Sequence, residues 1–141
     1  MKKLLTLFFY IASISQTQAL QISEVMSNPT GDDSGREWIE IYNNSSSTLD
    51  LSTVTLSIKG GAAVAISPVS GGTTLAVNDY AIIGSTVTGA TKFLQDYPPY
   101  SGILLKSSIS LVNTGVTSID VKLNGTTVDS LASYTAAKEG Y

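Results

Sequence analysis

The sequence contains no cysteine and no histidine in its 141 residues. Without cysteine, the fold can have neither disulfide bonds nor thiolate metal sites. Without histidine, the chain lacks the usual general base and the commonest ligand of transition metals. Ser-His-Asp and Cys-His nucleophilic catalysis and histidine-based zinc sites are therefore excluded within this chain. We expect a protein that is not an enzyme and has no catalytic, metal-binding or cofactor-binding residues.

Basic residues are few and widely spaced. Residues 20–141 contain six lysine or arginine residues against eleven aspartate or glutamate residues, which gives a net charge of −5. The six are Arg36, Lys59, Lys92, Lys106, Lys122 and Lys138. Binding to a phosphate backbone requires clustered cations, so we expect no direct nucleic-acid binding.

A long hydrophobic run occurs only at the N-terminus. Lys2 and Lys3 precede the apolar residues 4–14, and the segment ends with small residues at Ala19 that suit a signal peptidase. This pattern predicts a cleavable secretory signal at residues 1–19. The run is shorter than the roughly 20 residues that cross a bilayer, and a retained membrane anchor is the alternative. We therefore expect a secreted or cell-surface protein with no transmembrane segment after cleavage.

Residues 20–141 have the composition and spacing of a single all-β domain. Short runs rich in Val, Ile, Thr and Tyr alternate with Gly, Asn, Asp and Pro, and this pattern favours an antiparallel β-sandwich over a parallel sheet. Only residues 90–96 have the character of a short helix, of one or two turns. The predicted strands are residues 21–26, 37–43, 53–58, 62–66, 79–84, 108–113, 118–123 and 127–134.

The clearest local prediction is a hairpin near the C-terminus. Asn124 and Gly125 suit a two-residue type I′ turn between two alternating strands. A regular hairpin in that register would place Val121 opposite Val128 and Asp120 opposite Asp129. A cation between the two aspartates is an alternative to simple solvation of both carboxylates.

The run EWIEIYN at residues 37–43 has large side chains on both faces of a strand. Ile39 and Ile41 are expected in the core. Trp38 and Tyr42 then either cover the other face beneath a loop or form an exposed aromatic surface for a partner. We therefore treat Trp38 and Tyr42 as a possible interaction surface.

Three acidic features accompany these strands. Glu24 and Glu40 lie within apolar runs, so we expect hydrogen bonds at a sheet edge to hold one or both, with Arg36 the nearest cation in sequence. The segment from Gly31 to Gly35 contains Asp32 and Asp33, which suit a turn and complete the possible interaction surface. Its spacing differs from an EF-hand loop, although calcium binding remains an alternative.

Several motifs resemble the lamin-tail domain, an immunoglobulin-like module of nuclear lamins and of many bacterial surface and secreted proteins. ISEV at residue 22, EWIEIYN at residue 37 and LDLS at residue 49 lie in the family's order, followed by LAVNDYAIIG, SLVNTG and GTTVDSLASY. The resemblance spans essentially all of residues 20–141 and implies an immunoglobulin-like antiparallel β-sandwich.

The sequence departs from the family pattern at two places. Thr53 and Val54 follow the DLS motif where family members often have Gly-Trp. Family members also continue past the Glu-Gly-Tyr that ends this sequence into a closing strand, so we expect the last strand or a C-terminal continuation to lie beyond residue 141.

The resemblance implies a non-catalytic secreted or cell-surface module that binds or tethers a protein or a cell-envelope component. An alternative is the N-terminal targeting domain of a larger exported hydrolase, such as a nuclease or phosphatase, with its catalytic part beyond residue 141. A third interpretation is a surface-array or adhesion component that pairs through an exposed edge strand. The sequence leaves the oligomeric state open.

Overall fold

A computed structural model describes residues 19–31, 35–85, 87–113 and 116–135. The predicted signal segment at residues 1–18 and the turn residues Asp32 and Asp33 lie outside the described residues. Within the described residues the chain forms strands, one α-helix and a 3₁₀ turn at Leu51–Thr53. The helix α1 is Val87–Asp96, and the strands are β1 (Leu20–Met26), β2 (Trp38–Asn43), β3 (Leu49–Asp50), β4 (Val54–Ile58), β5 (Val64–Ala65), β6 (Ser67–Ser70), β7 (Thr74–Leu75), β8 (Tyr80–Gly84), β9 (Ile103–Lys106), β10 (Val116–Leu123) and β11 (Thr126–Thr135).

Two sheets form the predicted β-sandwich. The first has five strands in the order β1-β2-β8-β9-β6, and the second has four in the order β11-β10-β4-β5. A small ladder joins β3 to β7. Apolar side chains from both sheets make one continuous core, and the all-β, immunoglobulin-like prediction is confirmed.

Strand β2 shows why the core forms where it does. Side chains alternate between the two faces of a strand, so Ile39 and Ile41 point the same way. Both are fully buried in the core between the sheets, together with Val54 and Leu56 of β4 from the opposite layer. Burial of an isoleucine or leucine side chain contributes about 1.5–3 kcal/mol, so this alternation is a main source of stability.

One strand pair differs from the antiparallel prediction. Strands β8 and β9 are parallel, with Ile82 aligned with Leu104. Parallel neighbours need a crossover connection, and helix α1 provides it. The predicted helix at residues 90–96 was therefore too short, because the helix begins at Val87.

The other strand predictions vary in accuracy. The predictions around β1, β2, β4, β8, β10 and β11 are confirmed to within two residues at each end. The strand predicted at residues 62–66 covers only Val64–Ala65 in the structure. The strand predicted at residues 108–113 is wrong. Ile109 and Leu111 are buried there without a strand, and the Leu111 amide donates to Glu37 Oε2 at 3.1 Å rather than to a ladder. Apolar alternation therefore indicated burial correctly but not backbone pairing.

The C-terminal hairpin has the predicted turn but a different register. Asn124 and Gly125 have φ angles of 51° and 78°, as a type I′ turn requires. A bulge between Val121 and Lys122 then shifts the pairing, so Val121 aligns with Asp129 and Asp120 with Ser130. The two aspartates therefore do not face each other, and the expected pairing of Val121 with Val128 is wrong.

Both of those aspartates have hydrogen-bond donors nearby. The Ser130 hydroxyl donates to Asp120. The backbone N–H of Ile22, on β1 of the other sheet, donates to Asp129 Oδ2 at 2.7 Å. The shifted register thus allows Asp129 to connect the two sheets at their β1 and β11 edges.

Asn43 organises the loop after β2. Its side chain is fully buried, and Nδ2 donates to the carbonyls of Ser47, Leu75 and Ala76 at 2.9, 3.1 and 2.9 Å. Its Oδ1 accepts from the amide and hydroxyl of Ser45. The Asn-Ser run at residues 43–48 is therefore held to the core by the hydrogen bonds of its first residue, Asn43.

Replacing Ile39 with aspartate should unfold the domain. Truncation of a buried isoleucine to alanine already costs about 2–5 kcal/mol, and an unpaired buried carboxylate adds a further penalty. The matched control is Val69→Asp, because Val69 is 42% exposed on edge strand β6. Thermal melting followed by circular dichroism should show loss of the transition for Ile39→Asp only, and a folded Ile39→Asp protein with an unchanged Tm would contradict the assigned strand orientation.

Candidate functional site

The outer face of the five-stranded sheet is partly covered by helix α1. Trp38 points to this face and is 6% exposed, with its ring 5.6 Å from that of Phe93 and 6.1 Å from that of Tyr97, both edge to face. Ile82 and Leu104 complete a second, smaller core. Trp38 therefore lies beneath a helix, and it does not form an exposed surface with Tyr42.

Gly84 allows the helix to approach the sheet closely. A Cβ atom at Gly84 would lie 2.8 Å from the backbone nitrogen of Ala90. Real Cβ atoms do not approach backbone this closely, so any larger residue would push the helix outward. The sequence AIIG thus ends strand β8 with the one residue that permits this contact.

An open cleft of about 250 Å³ lies beside the C-terminal end of the helix. Its floor consists of Trp38, Ile82 and Phe93, which are almost completely buried. Tyr97 and Tyr100 form its aromatic side, and Tyr97 is 42% exposed. The cleft therefore has a rigid apolar base with an accessible aromatic edge.

Two carboxylates complete the cleft. Strand β1 shifts register between Ile22 and Glu24, and Glu24 then lies directly opposite Glu40 of β2. Glu24 is exposed and Glu40 is half-buried, so neither is the buried group that the apolar surroundings suggested. The Ser23 hydroxyl donates to Glu40 Oε1 at 2.8 Å, in line with the expected hydrogen bonding at the sheet edge.

Arg36 does not pair with either glutamate. Its Nε lies 3.3 Å from Asp96 Oδ2 at the end of helix α1, and its Nη1 donates to the Thr30 carbonyl at 3.4 Å. These residues line a second recess of about 360 Å³, which shares Tyr97 with the cleft. Arg36 is the nearest cation to the glutamates in the sequence, but it pairs with Asp96 instead, because helix α1 places Asp96 beside it.

Tyr100 closes the cleft on the side of strand β9. Its hydroxyl donates to the Ile103 carbonyl at 2.8 Å, and its ring meets that of Phe93 edge to face at 5.1 Å. Burial raises the pKa of Tyr100 to about 12, and the negative charges of Glu40 and Asp79 add to this effect. Tyr100 therefore remains a neutral phenol over the whole physiological pH range.

Tyr42 lies farther along the same face. Its ring is 4.7 Å from that of Tyr80, and its hydroxyl donates to Asn78 Oδ1 at 2.9 Å. Tyr80 is 44% exposed, and Tyr42 is half-buried. The accessible aromatic pair on this face is thus Tyr42 with Tyr80, whereas the sequence paired Tyr42 with Trp38.

Among the described residues, no group of three or more carboxylate side chains is placed to hold a metal ion. In the same part of the chain, no helix is both long enough and apolar enough to cross a bilayer. Asp32 and Asp33 lie outside the described residues, so the structure does not test the alternative of calcium binding at that turn.

A comparison with protein families identifies the fold. Residues 13–135 match the model of the Lamin Tail Domain. The chain belongs to the lamin tail domain family. This lamin tail domain therefore has the immunoglobulin-like fold of a non-catalytic family whose members often act as protein-interaction modules. A comparison with curated proteins finds no match.

The aromatic residues of the cleft were the main omission from the sequence-based site of this lamin tail domain. Phe93 and Tyr97 are four residues apart on or next to helix α1, which places them on one face, and their rings are 4.7 Å apart. The segment FLQDYPPY contains this spacing. The helical periodicity of aromatic residues before the two prolines was the signal that could have predicted the cleft.

Gly84→Ala should destabilise the lamin tail domain by about 1–3 kcal/mol, because the added methyl group collides with the helix backbone. We also expect increased solvent access to Trp38, with a red shift in its emission. Urea unfolding and fluorescence of the single tryptophan would measure both effects. An unchanged unfolding midpoint and an unchanged emission would show that the helix does not rest on Gly84.

The stability of the lamin tail domain should fall as the pH rises from about 10 to about 12. The unfolded chain loses the Tyr100 proton near pH 10, whereas the folded protein retains it up to about pH 12, so deprotonation favours unfolding in this window. Urea unfolding at several alkaline pH values should show a shallower decline for Tyr100→Phe. Part of the decline should remain in Tyr100→Phe, because burial also raises the pKa of Tyr134. Identical slopes for both proteins would contradict the raised pKa of Tyr100.

Proposed function

We propose that this lamin tail domain is a secreted or cell-surface binding module, of the bacterial type, that tethers a protein or a cell-envelope component. The match over residues 13–135 is the observation that carries the proposal, because the family is non-catalytic and often mediates protein interactions. The complete lack of histidine and cysteine agrees with a binding role.

The surface of the domain supports the same role. Tyr80 and Tyr97 are large aromatic residues that are 44% and 42% exposed on the outer side of the five-stranded sheet. Exposed aromatic side chains give contact area at a low entropic cost and are common in protein interfaces. This face therefore offers what a binding module needs.

Export is supported by the N-terminal segment. Lys2, Lys3, the apolar run and the small residue Ala19 have the order of a secretory signal. Cleavage after Ala19 would leave Leu20, which is the first residue of β1 and is fully buried in the core. The predicted cleavage point thus lies immediately before strand β1.

Expression of the full chain with a C-terminal tag in a bacterial host would test export. We expect the protein outside the cytoplasm with Leu20 at its N-terminus, since signal peptidases require a small residue before the cut. Ala19→Arg is the matched control and should remain uncleaved. Full-length protein retained in the cytoplasm would contradict export.

Binding of the exported protein to envelope fractions from its own source would test the tethering role. The expected result is saturable binding that excess untagged protein displaces. Binding that does not saturate, or no binding at all, would contradict the proposal.

A further inference from the structure

The cleft beside Tyr97 has two acidic residues placed directly opposite each other. Glu24 and Glu40 are register partners on β1 and β2, and both line the cleft. Like charges directly opposite on neighbouring strands are destabilising. The bulge that follows Ile22 brings Glu24 into this position, and bulges next to binding sites commonly redirect a side chain. The arrangement opposes stability and therefore points to a positively charged ligand.

Among the described residues, no basic side chain lies in the cleft beside this pair. Neither Glu24 nor Glu40 forms an ion pair there, and no basic residue lines the cleft. Arg36 is engaged with Asp96 in the adjacent recess. Lys106, on the same sheet, is aligned with Gly84 rather than with Ile82, which lies beside Glu40. The charge of the cleft is thus complementary to an external cation.

The remaining walls of the cleft suit an organic cation. Trp38 and Phe93 form the floor, and Tyr97 and Tyr100 form one side. Aromatic rings attract ammonium and guanidinium groups, and carboxylates add charge-assisted hydrogen bonds. Contacts among these rings, such as the 4.7 Å between Phe93 and Tyr97, fix them before a ligand arrives. A hard metal ion would instead require six to eight oxygen ligands.

The size of the cleft limits its occupant. Its volume of about 250 Å³ is below the roughly 300–1,000 Å³ of sites for drug-sized molecules. This space suits a single long side chain whose backbone remains outside. Lysine and arginine combine such length with positive charge and an aliphatic stem that can lie against aromatic rings.

We propose that the cleft formed by Glu24, Glu40, Trp38, Tyr97 and Tyr100 receives a lysine or arginine side chain from a basic segment of a partner protein. The inference rests on the proposed function, because it names the surface through which the binding module recognises a protein. The two glutamates neutralise the cation, and the aromatic side of the cleft contacts its stem.

Trp38 provides a direct assay, because it is the only tryptophan in the chain and lies in the floor of the cleft. The probes are four short peptides with blocked ends that differ only in a central lysine, arginine, norleucine or glutamate. Titration of the exported protein should give a saturable change in Trp38 emission with the lysine or arginine peptide. Equal binding of the norleucine peptide would overturn the proposal, since it would show that charge is not recognised.

Variants of the two glutamates test the site itself. The double change Glu24→Gln and Glu40→Gln should weaken binding of the basic peptides at least about tenfold, since two charge-assisted interactions are lost. Asp120→Asn is the control for net charge, because Asp120 lies on β10 of the other sheet and its asparagine can still accept from Ser130. Unchanged binding in the double variant, or equal weakening in the control, would overturn the proposal. Circular dichroism would verify that each variant is folded.

Two further measurements separate this proposal from the broader one. If the wild-type protein and the double variant bind envelope fractions equally, the cleft proposal fails and the binding function stands. If the lysine peptide binds at the cleft but envelope fractions do not bind, the function proposal fails and the cleft stands. Sedimentation equilibrium completes the set, because self-association that disappears in the double variant would assign the cleft to a second copy of this chain and overturn the choice of a separate partner.

Discussion

The opposite orientation of neighbouring side chains on strand β2 is the constraint on which the rest of the structure depends. Ile39 and Ile41 enter the core between the two sheets, whereas Trp38 and Glu40 point outward. The first pair binds the sandwich together. Trp38 packs against helix α1 on the outer face. Glu40 lies beside that helix and lines the cleft. One six-residue strand therefore determines both the stability of the fold and the location of its candidate site.

Helix α1 determines the shape of the outer face, where the candidate site lies. It connects two parallel strands, which is unusual in an otherwise antiparallel sandwich, and Gly84 lets it lie directly on the sheet. Trp38 is buried beneath the helix, whereas Glu24 is exposed and Glu40 is half-buried, so aromatic and acidic side chains line the same cleft.

The sequence predicted the fold better than the site, and the reasons are physical. Alternation in EWIEIYN identified Ile39 and Ile41 as core residues, and Asn124-Gly125 identified a tight turn, because both signals are local. The bulges at Ile22–Glu24 and Val121–Lys122 each change the pairing of a strand by one residue without a turn signal such as Asn-Gly to mark them, so the positions of Glu24 and Asp129 could not be read from the sequence. Tyr80 lies beside Tyr42 because β8 pairs with β2, and the sequence does not show that order of strands. The family resemblance predicted the architecture but not these side-chain neighbours.

Acrylamide quenching of Trp38 in the free, folded protein tests the two-faced burial of β2 most directly. The single tryptophan is 6% exposed beneath helix α1. We therefore expect weak quenching and blue-shifted emission, which change to strong quenching and red-shifted emission in urea. Strong quenching in the native protein, equal to that of the unfolded chain, would contradict the account, because the outer face would then lack its helical cover and the cleft its floor.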